Sequence, residues 1–252
     1  LSLHDALPIS WEQIASGEGL FRQLATEFIR REKSRRERLE QRNNSLASME
    51  FPFPSYRQGQ EELVSTTALA LQYGQDMMVE AATGIGKTAA LLLPAISWLG
   101  TAPTEAKVFF LTAKTSGRDI VIETLKNWPD LGLVTVCLEA KERWCTHPDG
   151  DCDNCPLAQD FYPKAARLLP KLLGAKILTP DLIYQFAGLE GICPFELALE
   201  TATHADLVIA DYNYVFDPMV QLQRFFGWNK IPATLLIDEA HNLVSRGREM
   251  FS

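Results

Sequence analysis

The segment Ala81-Ala82-Thr83-Gly84-Ile85-Gly86-Lys87-Thr88 constrains this chain more than any other. A short apolar run over residues 77–82, MMVEAA, precedes its glycines, and the helix-like run KTAALLLPAISWLG over residues 87–100 comes after them. A glycine-rich turn between a strand and a helix lets backbone N–H groups converge on an anion, and the helix N-terminus adds the positive end of its dipole. In such a loop Lys87 would neutralise the β- and γ-phosphates of a nucleotide and Thr88 would ligate Mg²⁺. The first glycine of the general phosphate-loop pattern is replaced here by Ala81.

From residue 76 onward, short β-rich runs alternate with helical ones. KVFFLTA (107–113) precedes the helical GRDIVIETLKNW (117–128), LGLVTVCL (131–138) is next, and DLVIADY (206–212) and ATLLIDEA (233–240) come later. Strands separated by helices imply crossover connections and a doubly wound parallel α/β sheet. The alternation stops between about Glu139 and His204, where four of the five cysteines fall, so that stretch reads as an insertion. Asp238-Glu239-Ala240-His241 closes the last apolar run, which puts two carboxylates at the C-terminal end of a strand, the edge where open α/β sheets bind ligands. Asp238 would hold Mg²⁺ and Glu239 would orient and polarise the attacking water.

Upstream of the sheet, residues 11–42 carry Leu20, Phe21, Leu24, Phe28 and Ile29 at helical spacing, then the charged run RREKSRRERLEQR. Eight Arg or Lys stand against four Glu between residues 22 and 42, a pattern that suits a solvated helix laced with i to i+4 pairs or a basic surface for DNA. NNSLASMEFPFPS reads as a linker, and residues 1–10 share no periodicity with the helical run after them and read as an unrelated leader. At 252 residues and 46% hydrophobic content, the chain can bury one substantial core plus a small subdomain. No apolar run approaches the length of a membrane span, and the expected location is cytoplasmic. The net charge of −8 does not exclude nucleic acid, because a translocating motor holds a strand through local contacts.

The cysteines are spaced with six residues between Cys145 and Cys152, two between Cys152 and Cys155, and thirty-seven between Cys155 and Cys193. Close-set thiols in a reducing compartment are ligands more often than disulfides, and the spacing fits Zn²⁺ and an iron–sulfur cluster alike. His147 and His204 are weaker ligand candidates, and Cys137, inside LGLVTVCL, reads as a core residue.

Taken together, AATGIGKT, LLIDEAHNL and ADLVIADYNYVFDP resemble the XPD/DinG-like, Rad3-related superfamily 2 iron–sulfur DNA helicases, in which an alanine-led phosphate loop is normal. The resemblance implies a RecA-like P-loop NTPase sheet, the first helicase motor domain, over residues 51–138 and 205–252. It also implies an inserted iron–sulfur subdomain over residues 139–204, with residues 11–50 as a helical segment and linker. KERWC, CDNCP and ICPFE resemble the family's [4Fe–4S] insertion, which implies Cys145, Cys152, Cys155 and Cys193 as ligands. Nucleotide contacts carried over by the resemblance are Arg57 and Gln60 of an R-x-x-Q element, Ala82 to Thr88 of the loop, and His241. Thr112 and Lys114 occupy the place of a DNA-backbone motif, Lys141 that of a basic residue near the fork, and Arg143, Trp144 and Tyr162 flank it. Tyr212, Asn213 and Tyr214 match a family signature that either lines the DNA path or packs the strand end.

The implied activity is ATP- and Mg²⁺-dependent translocation on single-stranded DNA with 5′ to 3′ polarity, opening forked or duplex DNA. The chain starts without Met and stops soon after the DEAH motif, so a fragment lacking the second motor domain, and slow to turn ATP over alone, is expected. Two rivals share parts of this pattern: a P-loop ATPase that remodels protein, and a metal-stapled single-strand-binding module without ATPase.

Overall fold

A computed structural model describes residues 18–81, 84–145, 151–227 and 230–250. The chain divides into two compact units, Leu1–Gln41 and Arg42–Ser252. Helix α1 (Glu18–Ala47) supplies the described part of the first unit and enters the second. Its charged stretch pairs along the helix, Glu27 with Arg31, Lys33 with Glu37 at 3.8 Å and Glu32 with Arg35 at 3.6 Å. Each such exposed pair contributes only a few tenths of a kcal/mol, about 0.3–0.5. The helix outlasts its expected end near residue 42, because Arg42 and Leu46 are both buried and packing overrides the Asn43-Asn44 break.

In the second unit the order runs α2 (Gln60–Tyr73), α3 (Lys87–Leu99), β1 (Lys107–Leu111), α4 (Thr115–Leu125) and β2 (Thr135–Cys137). The cysteine-bearing stretch then contributes α5 (Lys141–Trp144), α6 (Phe161–Gly174), β3 (Ile177–Leu178), α7 (Pro180–Glu190) and α8 (Pro194–His204). The chain closes with β4 (Leu207–Ala210), α9 (Asn213–Phe216), α10 (Gln223–Phe226), β5 (Ala233–Ile237), a 3₁₀ turn (Ala240–Asn242) and α11 (Leu243–Met250).

The five strands form one parallel sheet in the order β3-β2-β4-β1-β5. Side chains alternate across a strand, so each strand feeds two cores. Phe109 and Leu111 of β1 join Val208 and Ala210 of β4 on one face, where Leu168 and Leu172 of α6, Ile183 of α7 and Leu197 of α8 cover them. Val108 and Phe110 join Leu207 and Ile209 on the other, against Leu92 and Ile96 of α3 and Val121 of α4. Helices on both faces make this the doubly wound α/β architecture that the alternating pattern predicts.

Two strand expectations are corrected. Residues 77–81 lie outside any ladder, with Met78 94% exposed: a three-residue apolar run flanked by Asp76 and Glu80 has no described strand beside it to satisfy its N–H and C=O groups. Second, Ile177–Leu178 lies within the stretch read as an insertion yet pairs in parallel with Thr135–Val136, so that stretch supplies the sheet's edge strand. Among the described residues no single helix is long and apolar enough to cross a membrane; the bent pair α7 and α8 is apolar because Ile183, Ala187, Leu197 and Ala202 fill the core.

Candidate active site and four-cysteine cavity

The C-terminal ends of β1, β4 and β5 lead to Thr112 and Lys114, to Tyr212, and to Asp238 and Glu239 on one edge of the sheet. Gly84 and Gly86 adopt φ of +85° and +78°, the left-handed region open to glycine, and α3 starts directly at Lys87. The R-x-x-Q element closes over this turn: the Arg57 guanidinium donates to the Gly84 carbonyl, Gln60 Nε2 donates to the Gly86 carbonyl at 3.1 Å, and Arg57 N–H donates to Gln60 Oε1 at 2.7 Å. Gln60 is buried and Arg57 exposed, so the first residue sets the loop backbone while the second reaches over its rim. Lys87 Nζ donates to the Ala81 carbonyl at 2.9 Å, and Ile85 and Thr88 are half-buried beside it. Ala82 and Thr83 lie outside the described residues.

Across the edge, Asp238 N–H donates to the Leu111 carbonyl at 2.9 Å, which extends the β1–β5 pairing into the DEAH turn. Burial, then the adjoining Glu239 charge, pushes the Asp238 carboxyl up from its ordinary value, while Lys87 and Lys114 pull it down. Lys87 and Asp238, 151 positions apart in sequence, therefore act on one another through space, the arrangement a nucleotide–Mg²⁺ site needs. Glu239 takes φ of +52°, a left-handed conformation that costs a non-glycine residue roughly 1–3 kcal/mol and is found mainly at functional turns. His241 is exposed, with Nδ1 3.5 Å from Glu239 Oε2. Lys114 is exposed, whereas Thr112 is 4% exposed and its Oγ1 accepts from Lys114 N–H at 3.5 Å; the threonine shapes the turn and the lysine faces outward.

Of the two roles open to Tyr212 and Tyr214, the structure takes packing of the strand end, since both are buried in the core. The Tyr212 ring is fully buried and its hydroxyl donates to the Asp238 carbonyl, with the Glu239 carbonyl at 3.2 Å. Tyr214 donates to the Glu139 carbonyl at 2.6 Å. The DYNY signature marked the segment, but nothing in it foretold that both hydroxyls seek main-chain carbonyls.

All four cysteines of the expected ligand set line one cavity of about 220 Å³, with Lys141, Phe161 and Phe195 among its other walls. Cys193 N–H donates to the Leu157 carbonyl at 2.9 Å, which ties the distant fourth cysteine to the Cys152–Cys155 loop. Burial raises the Cys193 thiol, opposed by the Glu196 and Phe195 N–H groups at the start of α8. Lys141 Nζ lies 3.2 Å from Cys152 Sγ, and that contact, more than the neighbouring thiols, raises the lysine. Lys141 thus faces the thiols. Among the described residues no three His, Cys, Asp or Glu side chains converge as a single-ion site; the thiols surround a shared space instead. Arg143 pairs with Glu139 at 3.2 Å, Trp144 is buried, and Tyr162 is exposed at the cavity wall. Cys137 is buried in the core, as expected.

A family model named DEAD_2 matches residues 119–252, more than half of the chain, and that of the DEAD/DEAH box helicases matches residues 57–143. The chain belongs to the DEAD_2 family. This membership sets it among XPD/Rad3-type superfamily 2 helicases, in agreement with the motifs. Relatives of this DEAD_2 chain include the regulator of telomere elongation helicase 1 homologues of Drosophila willistoni (21% identical, 77% of this chain, 25% of the relative) and Caenorhabditis briggsae (23%, 80% and 25%). The cattle regulator of telomere elongation helicase 1 is 22% identical, over 78% of this chain and 20% of its own length. A solved XPD helicase superposes with a TM-score of 0.58 at 20% identity, covering 78% of this chain and 35% of that one, which supports the fold. The DEAD_2 chain therefore spans about a quarter of the length of the curated relatives it matches.

Proposed function

We propose that this chain is the first motor domain of an ATP-dependent DNA helicase that translocates 5′ to 3′ on single-stranded DNA and opens forked or duplex DNA in the cytoplasm. One observation supports the reading: Lys87, which opens α3 after the left-handed Gly84 and Gly86, stands close enough to Asp238 at the end of β5 to pull its carboxyl down. The loop N–H groups and the α3 N-terminus would hold phosphate oxygens, and Lys87 would exchange its Ala81 carbonyl for the β/γ-phosphates. Thr88 and Asp238 would hold Mg²⁺, which neutralises charge on the phosphates when bound. Glu239, aimed by its left-handed backbone, would orient the attacking water. Arg57 and Gln60 would sense the base end, and His241 would lie beside the phosphate end. Lys114, exposed at the same edge, is the better candidate for a strand contact than buried Thr112.

The cysteine cavity supports a second part of the reading, that Cys145, Cys152, Cys155 and Cys193 hold a [4Fe–4S] cluster. The donor set is four thiols, and their cavity is larger than one ion requires. When bound, the cluster would staple three separate stretches of chain and stiffen the subdomain that meets the fork. A reducing compartment, where thiolates stay available as ligands, fits this chemistry.

The test is Mg·ATP binding by calorimetry, parent against Lys87→Ala. Charged hydrogen bonds of about 1.5–3 kcal/mol predict roughly 10- to 100-fold weaker binding. Equal affinity in the two chains would remove the nucleotide site and with it the helicase reading. Iron and sulfide content of anaerobically purified chain, beside Cys152→Ser, tests the cluster separately.

A further inference from the structure

The segment joining β4 to α9 bonds in two directions. Tyr212 donates to the carbonyl of Asp238, and its hydroxyl lies 3.2 Å from that of Glu239, the strained residue of the DEAH turn. Two residues on, Tyr214 donates to the carbonyl of Glu139 at 2.6 Å. Glu139 is the last residue but one before α5, whose Lys141 and following Cys145 line the four-cysteine cavity. The Glu139 carboxylate is held in turn by Arg118 at 3.1 Å and Arg143 at 3.2 Å, so a displacement of its backbone moves a braced group.

The geometry of this segment suits transmission. Tyr212 and Tyr214 are both buried, and the turn between them is closed by Val215 N–H to the Tyr212 carbonyl at 3.0 Å and by Asn213 N–H to the Asp211 carboxylate at 3.0 Å. Packed side chains in staggered rotamers do not deform continuously, so a shift at one hydroxyl is passed to the other.

We infer that Tyr212 and Tyr214 are positioning residues of a strut that couples the nucleotide edge to the cysteine subdomain. Tyr212 fixes the carbonyls of Asp238 and Glu239, which flank the Glu239 Cα, and so the direction of the Glu239 carboxylate. Tyr214 carries any movement of that turn to residue 139 and on through α5 to Cys145. The inference rests on the nucleotide-binding reading above and adds to it a path between two sites.

Hydrogen–deuterium exchange of the chain with and without Mg·ATP, for the parent, Tyr212→Phe and Tyr214→Phe, tests the strut. Both substitutions keep the ring and remove one hydroxyl, and thermal melting of each reports whether the fold persists. In the parent, nucleotide slows exchange both at residues 238–242 and at residues 139–145, the latter by roughly fivefold, the lower end of ordinary coupling between sites. Tyr214→Phe retains nucleotide affinity and the protection at 238–242 while losing that at 139–145. Tyr212→Phe, which releases the DEAH turn itself, weakens the protection of both segments. Undiminished protection at 139–145 in Tyr214→Phe, or no nucleotide effect there in a parent that binds, overturns the strut and leaves the nucleotide site standing. A parent that binds no Mg·ATP overturns both.

Discussion

Asp206→Ala strips the carboxylate that Arg42 meets at the start of β4 and leaves a buried guanidinium without its counter-charge. Arg42 is 2% exposed and Asp206 3%, and Arg42 Nη1 lies 2.5 Å from Asp206 Oδ1. Asp206 Oδ2 also accepts from Val134 N–H at 2.9 Å, so the substitution orphans a buried backbone donor on β2's approach as well as the cation. Arg42 then keeps Asn43 Oδ1 at 2.9–3.0 Å and the Leu99 carbonyl at 3.3 Å, neither of which carries charge. Breaking one side of a buried pair costs about 3–5 kcal/mol. With a urea dependence of about 2 kcal/mol per M, the unfolding midpoint falls by about 2 M. Arg42→Met combined with Asp206→Leu removes both charges and leaves mainly the Val134 donor unpaired, so the double variant lies within about 1–3 kcal/mol of the parent. The cycle of Arg42→Met, Asp206→Leu and their combination, in which each single breaks one side of the pair, therefore shows a coupling of more than about 1 kcal/mol. A loss of under about 1 kcal/mol in Asp206→Ala, or strict additivity, refutes the claim that this pair anchors the α1 end to the sheet.

Gly86→Ala places a Cβ 2.3 Å from Gln60 Nε2 at a φ of +78°, so it loses roughly 1–3 kcal/mol of stability by urea unfolding and also weakens Mg·ATP binding. Adding Gln60→Ala returns part of the stability, and an unchanged midpoint in the single variant contradicts the described loop. Burial pushes the Cys137 thiol up to about 11, opposed by Arg118. Its folded value lies above its unfolded one, so its contribution is complete below about pH 8.5 and is lost as pH rises through about 11, at roughly 1.4 kcal/mol per pH unit. Cys137→Ala flattens that part of the stability profile, and an unchanged slope refutes it.

The legibility of a feature in the sequence is set by how many partners it needs. KVFFL and LVIA are readable as strands because each is buried along its length and almost wholly apolar, the mark of a parallel interior strand, whereas ATLLI, half-buried at the sheet's edge, is readable from its short β-rich apolar run. LGLVTVCL reads as eight residues of strand, but only Thr135–Cys137 lie in the ladder, since β3 and β4 flank just that portion. A two-residue strand such as Ile177–Leu178 has no period to detect, and it hides between helical runs. Arg42 looks like Arg35 or Arg38 in a charged helix, because its partner stands 164 positions away. The glycines, lysine and acids of the nucleotide edge are legible for the opposite reason: phosphate and metal chemistry dictates residue type within each short motif, whatever the intervening chain does.

Strand β4 gives these separate features a common mechanical frame. Its four residues are fully buried between β2 and β1, and it is bounded by the Arg42–Asp206 pair at its N-terminal end and by Asp211-Tyr212 at its C-terminal end. A strand fixed at one end by a buried ion pair and along its length by two ladders has little freedom to slide. The position of Tyr212 is then set by the sheet, and the DEAH turn, whose own backbone is strained at Glu239, takes its position from Tyr212. Backbone strain at such a turn persists only when the surroundings over-determine it, and here the determination comes from the buried phenol and from Asn242, whose N–H reaches the Glu239 carbonyl at 2.9 Å. The anchor and the DEAH turn are therefore coupled through β4: loosening Asp206 degrades the protection that Mg·ATP is expected to give residues 238–242 in solutions where the chain is still folded.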